Sequence, residues 1–150
     1  MFLSAGKLIF LSLFVSVAVM ASNFQGTWTG AGSMDSSVEG HLTVDPVVFV
    51  FTANGATLSS RDCWTFNYGG NDWRYCSHRD LELKYEKVFF KDSLIGEYTE
   101  NKISVHYFDG DAEVQATAEI QTDGTLNYSY SSVQASGRYL KQQAVGLRRQ

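Results

Sequence analysis

The sequence predicts an all-β fold, an antiparallel up-and-down β-barrel of about 8–10 strands, and three observations predict it. Apolar and polar residues alternate with period two over most of the chain from Phe24 onward. Turn residues separate these runs at short intervals, and no apolar i, i+3, i+4, i+7 pattern persists for about ten residues. The composition is globular, with 44% hydrophobic residues, 14% aromatics, 13 glycines and one proline. Tight hairpins join antiparallel strands, whereas parallel strands need crossovers of about a dozen residues. An open meander of nine or ten strands would leave unpaired edges, so closure is preferred. A two-sheet β-sandwich is the alternative architecture. An outer-membrane barrel fits less well, because Lys84, Glu97, Lys102 and His106 interrupt a continuous apolar band.

Residues 1–21 read as a secretory signal peptide. Lys7 precedes an uncharged apolar run, Leu8–Met20, and Val19 and Ala21 are small residues at the −3 and −1 positions of a cleavage site. The run is shorter than the roughly 20 residues of a membrane-spanning helix. Residues 22–150 are then a single β-barrel domain, secreted to an extracellular or periplasmic compartment, with no membrane attachment after cleavage.

The first strand carries Gly26-Thr27-Trp28-Thr29-Gly30. Asp45-Pro46 reads as a turn, followed by Val47-Val48-Phe49-Val50-Phe51, which is apolar on both faces. A barrel strand buries only one face, so Val47–Phe51 points to a homodimer or protein partner docked on the outside. Asn54-Gly55 is the next turn. Cys63 to Cys76 then reads as a hairpin whose two central turn residues are Gly69-Gly70. Counting outward from that turn places Cys63 opposite Cys76 at a non-hydrogen-bonded pair, where Cα atoms approach to about 4.5 Å and a disulfide bridges. An oxidising compartment favours the bond. The same count puts Trp64 opposite Tyr75 and Phe66 opposite Trp73 on one face.

Leu81, Leu83 and Tyr85 alternate with Glu82, Lys84 and Glu86, after which Val88-Phe89-Phe90 breaks the phase; a bulge near Glu86-Lys87 is expected. Lys91-Asp92-Ser93, Glu100-Asn101, Asp109-Gly110-Asp111 and Asp123-Gly124 supply later turns. Ile103, Val105 and Tyr107 share one face of the strand between two of them. Ala112, Val114, Ala116, Ala118 and Ile120 form the clearest alternating face, and Leu126, Tyr128 and Tyr130 follow on the next strand.

The chemistry is sparse. Twelve Lys+Arg against sixteen Asp+Glu give a net charge of −4 without a basic cluster, which excludes nucleic acid as a partner. His41, His78 and His106 are scattered, so no metal site is expected. His78-Arg79-Asp80 matches a kinase tripeptide without its phosphate loop or strand lysine. No catalytic residue emerges, no cofactor is required, and the chain is expected not to be an enzyme. The aromatic residues carry the functional signal. Trp64, Phe66, Trp73, Tyr75, Tyr107 and Tyr128 are the candidate ligand-binding residues, with the small Ala112, Ala116 and Ala118 leaving volume beside them.

Gly26-Thr27-Trp28 near the start and Gly137-Arg138-Tyr139 in the last strand resemble the calycin superfamily of lipocalins, fatty-acid-binding proteins, avidins and nitrobindin-like barrels. The resemblance implies that Trp28 plugs one end of the barrel and that Arg138 lies across its ring. It covers about ten residues, and the helical insertions of fatty-acid-binding proteins and lipocalins are missing. The Gly26–Gly32 opening is most similar to that of nitrobindins, whose haem-ligating histidine lies late in the chain, whereas no histidine follows His106 here. The expected function is therefore a secreted, non-enzymatic barrel that binds a small apolar or aromatic ligand in its interior. The alternatives are a secreted interaction module or inhibitor acting through an outer sheet face, and a haem-binding barrel.

Overall fold

The computed structural model describes residues 23–150, so the signal peptide expected over residues 1–21 lies outside the described residues. Ten strands follow in order: β1 (Gly26–Ser36), β2 (Gly40–Asn54), β3 (Thr57–Tyr68), β4 (Asn71–Lys84), β5 (Lys87–Phe90), β6 (Ser93–Tyr98), β7 (Lys102–Asp109), β8 (Ala112–Ile120), β9 (Leu126–Gln134) and β10 (Tyr139–Arg149). Each pairs antiparallel with its sequence neighbours, and β1 pairs with β10, closing an up-and-down barrel. Closure pairs β1 with β10, the two edges that an open meander would expose.

Inward residues follow the predicted alternation. Trp28 stands opposite Phe49, Phe49 opposite Asp62, and Leu58 opposite Leu81. One end of the barrel is packed solid by buried Phe24, Trp28, Phe51, Leu58, Leu83, Val88, Tyr98, Ile103, Leu126 and Leu147. At its bottom the Trp28 indole N–H donates to the Phe24 carbonyl at 2.9 Å. An aromatic ladder climbs from this plug into the barrel: Phe24 to Phe51, Phe51 to Phe49, and Phe49 to Trp64 and Tyr128 at centroid distances of 6.0 and 4.5 Å. The Trp64 ring packs over Gly32, where a Cβ would come within 3.2 Å of it and within 2.5 Å of the Gln143 carbonyl oxygen.

Three local expectations are corrected. Asp45-Pro46 is not a turn between strands: its peptide bond is cis and it forms a bulge inside β2, between the Val44↔Phe66 and Val47↔Trp64 pairs. The bulge keeps Val44 and Val47 both inward although they are three residues apart. The phase break after Tyr85 is a hairpin, not a bulge near Glu86-Lys87; Tyr85 and Glu86 both take positive φ, at 53° and 62°, and join β4 to β5 directly. The last strand also begins after Arg138 and runs on to Arg149, through an irregularity between Ala144 and Leu147.

The Cys63–Cys76 disulfide is present, with the two residues opposite each other at a Cα–Cα distance of 4.1 Å. It staples the longest hairpin of the barrel. β2 accompanies β3 only as far as Phe66, and β5 pairs with β4 only at Glu82–Lys84. Among the described residues no strand pairs with β4 over Asn71–Leu81 on that flank. β6 likewise leaves β7 beyond Val105. Because β5 and β6 are short, the wall has a notch between β4 and β7, floored by the Lys91-Asp92 turn and overhung by the disulfide hairpin.

Candidate functional site

An internal cavity of about 60 Å³ opens toward this notch. Asp62, Arg79, Phe90, Tyr107, Tyr128 and Tyr130 line it, together with the small Ala116 and Ala118 of β8. Alternation puts these side chains inside, and the alanines leave the space, as the sequence implied.

A hydrogen-bonded chain crosses the cavity wall. The Ser77 hydroxyl donates to Asp62 Oδ1 at 2.5 Å, and the Trp64 indole N–H donates to Asp62 Oδ2 at 2.8 Å. Arg79 Nη1 donates to the Ser77 oxygen at 3.2 Å. Asp62 is thus buried yet met by a donor on each oxygen, the condition under which a carboxylate survives inside a protein. The Arg79 guanidinium lies 5.7 Å from the Tyr130 ring centroid, a cation–π distance. Burial raises the pKa of the Tyr128 hydroxyl, with the Asp62 charge adding to it, and burial also raises that of Tyr107. Both therefore remain neutral phenols with a proton to donate.

The six candidate aromatic residues divide by depth. Trp64 is completely buried and bonded to Asp62, so it belongs to the core. Tyr128 and Tyr107 line the cavity. Phe66, Trp73 and Tyr75 stand on the inward face of the overhanging hairpin. Trp73 and Tyr75 remain 54% and 47% exposed, because the wall opposite them is absent. The interior is thus largely filled by its own side chains, and the space left is a small cavity below an open aromatic rim. A volume of about 60 Å³ holds about two waters or one small functional group, far below the roughly 300–1,000 Å³ of a drug-sized pocket.

Sequence reasoning passed over Asp62, Arg79, Phe90, Tyr130 and Gln142. The signal for most of them was phase: Asp62 shares its face with Trp64, Ser77 and Arg79 share theirs with Leu81, and Gln142 shares its with Leu140 and Ala144.

Two other expectations change. The cation over Trp28 is Arg149, at 4.5 Å from the ring centroid, and not Arg138, which lies exposed in the turn before β10 at the opposite end. Arg149 also donates through Nη2 to the Asn23 carbonyl, tying the two ends of the described chain across the plug. The haem alternative fails on geometry: the cavity is too small for a porphyrin, and His41, His78 and His106 stand on the outer face, exposed. On the outside of β2, the inward Val47, Phe49 and Phe51 are buried, leaving Val48 half-buried and Val50 37% exposed. A larger hollow of about 570 Å³ crosses the outer faces of β1, β10, β9 and β8, with Ser33, Thr117, Ser129, Ser131 and Gln143 on its surface. Asp35, His41 and Lys141 also line it, so its surface mixes charged side chains with hydroxyl and amide groups.

No family model matches the chain, and no curated protein matches it. Among solved structures it is similar to a de novo designed fluorescence-activating β-barrel, at 16% identity over 88% of this chain and 98% of that one, with a TM-score of 0.41. It is also similar to a protein of unknown function from the DUF3598 family of Nostoc punctiforme, at 14% identity over 85% of this chain and 46% of that one, with a TM-score of 0.21. Neither likeness bears on the site.

Proposed function

We propose that the barrel is a secreted, non-enzymatic, calycin-like protein that binds a small apolar or aromatic molecule at the notch, partly in the cavity and mainly against the rim. One observation carries this reading. Trp73 and Tyr75 face inward yet stay about half exposed above a cavity that the wall leaves open. Large aromatic surface held toward an opening by a disulfide is a cost to a folded chain unless something covers it. The uncovered parts of these two rings offer on the order of 200 Å². With a like area from the ligand, burial contributes about 10 kcal/mol at 25 cal/mol per Å², from which association losses of about 4 kcal/mol or more are subtracted. Micromolar affinity or weaker follows. The disulfide supports an oxidising compartment. The Trp28–Arg149 stack across the packed end supports the calycin-like assignment.

Native mass spectrometry after mild purification tests the reading. A bound small molecule supports it. An apo mass, with no saturable response to a panel of fatty-acid and aromatic probes, overturns it. The unpaired β4 flank over Asn71–Leu81 favours a second reading, an interaction module that takes an extended segment of a protein partner by strand addition. The outward Val48 and Val50 offer that reading little, as their exposed area is small.

A further inference from the structure

The cavity holds a guanidinium that no carboxylate of the described residues pairs with. Arg79 has five N–H donors, of which the Ser77 oxygen takes one and the Tyr107 hydroxyl a second. No carboxylate lies within 4 Å of its guanidinium among the described residues, and residues 1–22 contain no Asp or Glu that could supply one. Asp62, the acid of the same cavity, has both oxygens occupied by Trp64 and Ser77, and Ser77 stands between it and Arg79. Gln142 Nε2, on the residue paired with Tyr130 in the β9–β10 register, is also buried without a partner, but Gln142 does not line this cavity. Tyr130 in turn carries the Arg79 guanidinium over its ring. A half-buried guanidinium with donors to spare and no carboxylate beside it marks a place where an anion belongs.

We propose that the molecule bound at the notch carries a carboxylate and enters head-first, so that the carboxylate occupies the cavity against Arg79 while its aromatic or aliphatic body extends along β4 past Tyr75 toward Trp73. This rests on the ligand-binding reading above and names the ligand's class. Size agrees, because about 60 Å³ takes a carboxylate and little more. Charge agrees as well, since a guanidinium presents its N–H groups in a fork that matches two carboxylate oxygens. Ser77 and the Tyr130 ring hold that fork toward the opening, which limits the side-chain freedom lost on binding.

Isothermal titration of the purified protein with 2-naphthylacetic acid and with its neutral amide, at pH 7, tests the proposal. The acid is expected to bind at least tenfold more tightly than the amide. Its affinity should fall between 20 and 500 mM salt while that of the amide stays constant. In Arg79→Gln the acid should bind within about twofold of the amide. Equal affinity for acid and amide in the unmodified protein overturns the carboxylate proposal and leaves the aromatic site standing. Binding of neither overturns both. Should Arg79→Gln fail to fold, the acid-to-amide ratio and its salt dependence in the unmodified protein decide the matter.

Discussion

Reduction of the Cys63–Cys76 bond, or its replacement by the double substitution C63A/C76A, has an effect that can be worked out from the structure. The cysteines are 13 residues apart in sequence, and the loop they close is the end of the β3–β4 hairpin, which β2 flanks only as far as Phe66 and β5 does not flank. In the chain-entropy model a loop of that size stabilises the folded state by about 3 kcal/mol. Unfolding a domain of 128 described residues changes the entropy by about 2.1 cal/mol/K per residue near 60 °C, or about 0.27 kcal/mol/K in all. The melting temperature should therefore fall by about 11 °C. Scanning calorimetry with and without reductant measures it directly, and C63A/C76A should then be insensitive to reductant. Two side chains of the proposed site, Trp73 and Tyr75, lie inside the stapled loop. Ligand affinity should thus weaken with the bond broken even where the barrel remains folded. Melting temperatures equal within about 1 °C would show that the bond constrains nothing and would refute the reasoning.

Other outcomes follow from single contacts. Arg149→Ala should cost about 0.5–2 kcal/mol in denaturant unfolding through loss of the Trp28 stack, whereas Arg138→Ala, in an exposed turn, should be silent; the reverse ranking would reinstate Arg138 as the partner. Gly96→Ala should destabilise by about 1–3 kcal/mol, because its Cβ would sit 2.0 Å from the Ser104 carbonyl oxygen and 2.8 Å from the Val105 Cα, forcing β6 away from β7; an unchanged unfolding midpoint would contradict that packing. Asp62→Ala should cost about 1–3 kcal/mol, since it leaves the Trp64 indole N–H and the Ser77 hydroxyl unpaired in the interior, and a neutral result in the same assay would show the network to be dispensable.

The barrel was legible wherever period two was unbroken. Ala112–Gln121 and the Cys63–Cys76 hairpin carry their own register, because a two-residue turn fixes which residues face each other. What sequence reasoning missed sits where phase is interrupted. Asp45-Pro46 reads as a turn in isolation, yet here proline occupies a bulge in β2, where the missing N–H matters less. Gly146 interrupts the alternation in β10, so the basic residues beyond it look like a tail, although Arg149 completes the plug. The aromatic candidates were found as residues but not by depth. Alternation says that Trp64 and Trp73 share a face; only the lengths of the neighbouring strands say that one is in the core and the other on an open rim. Arg79 was hidden by its charge, which argues for a surface position until Leu81 and Leu83 are counted backward along β4.

Tryptophan emission offers the most direct measurement of the ligand-binding claim, because the three indoles differ so sharply in exposure. Trp28 and Trp64 are buried and Trp73 is about half exposed at the rim. Titration of the unmodified protein and of Trp73→Phe with naphthyl carboxylates and fatty acids should give a saturable emission change in the first and none in the second, with both proteins melting within about 2 °C of each other. A flat response from the unmodified protein across the panel, or the same saturable change in Trp73→Phe, would contradict the placement of a ligand at the notch.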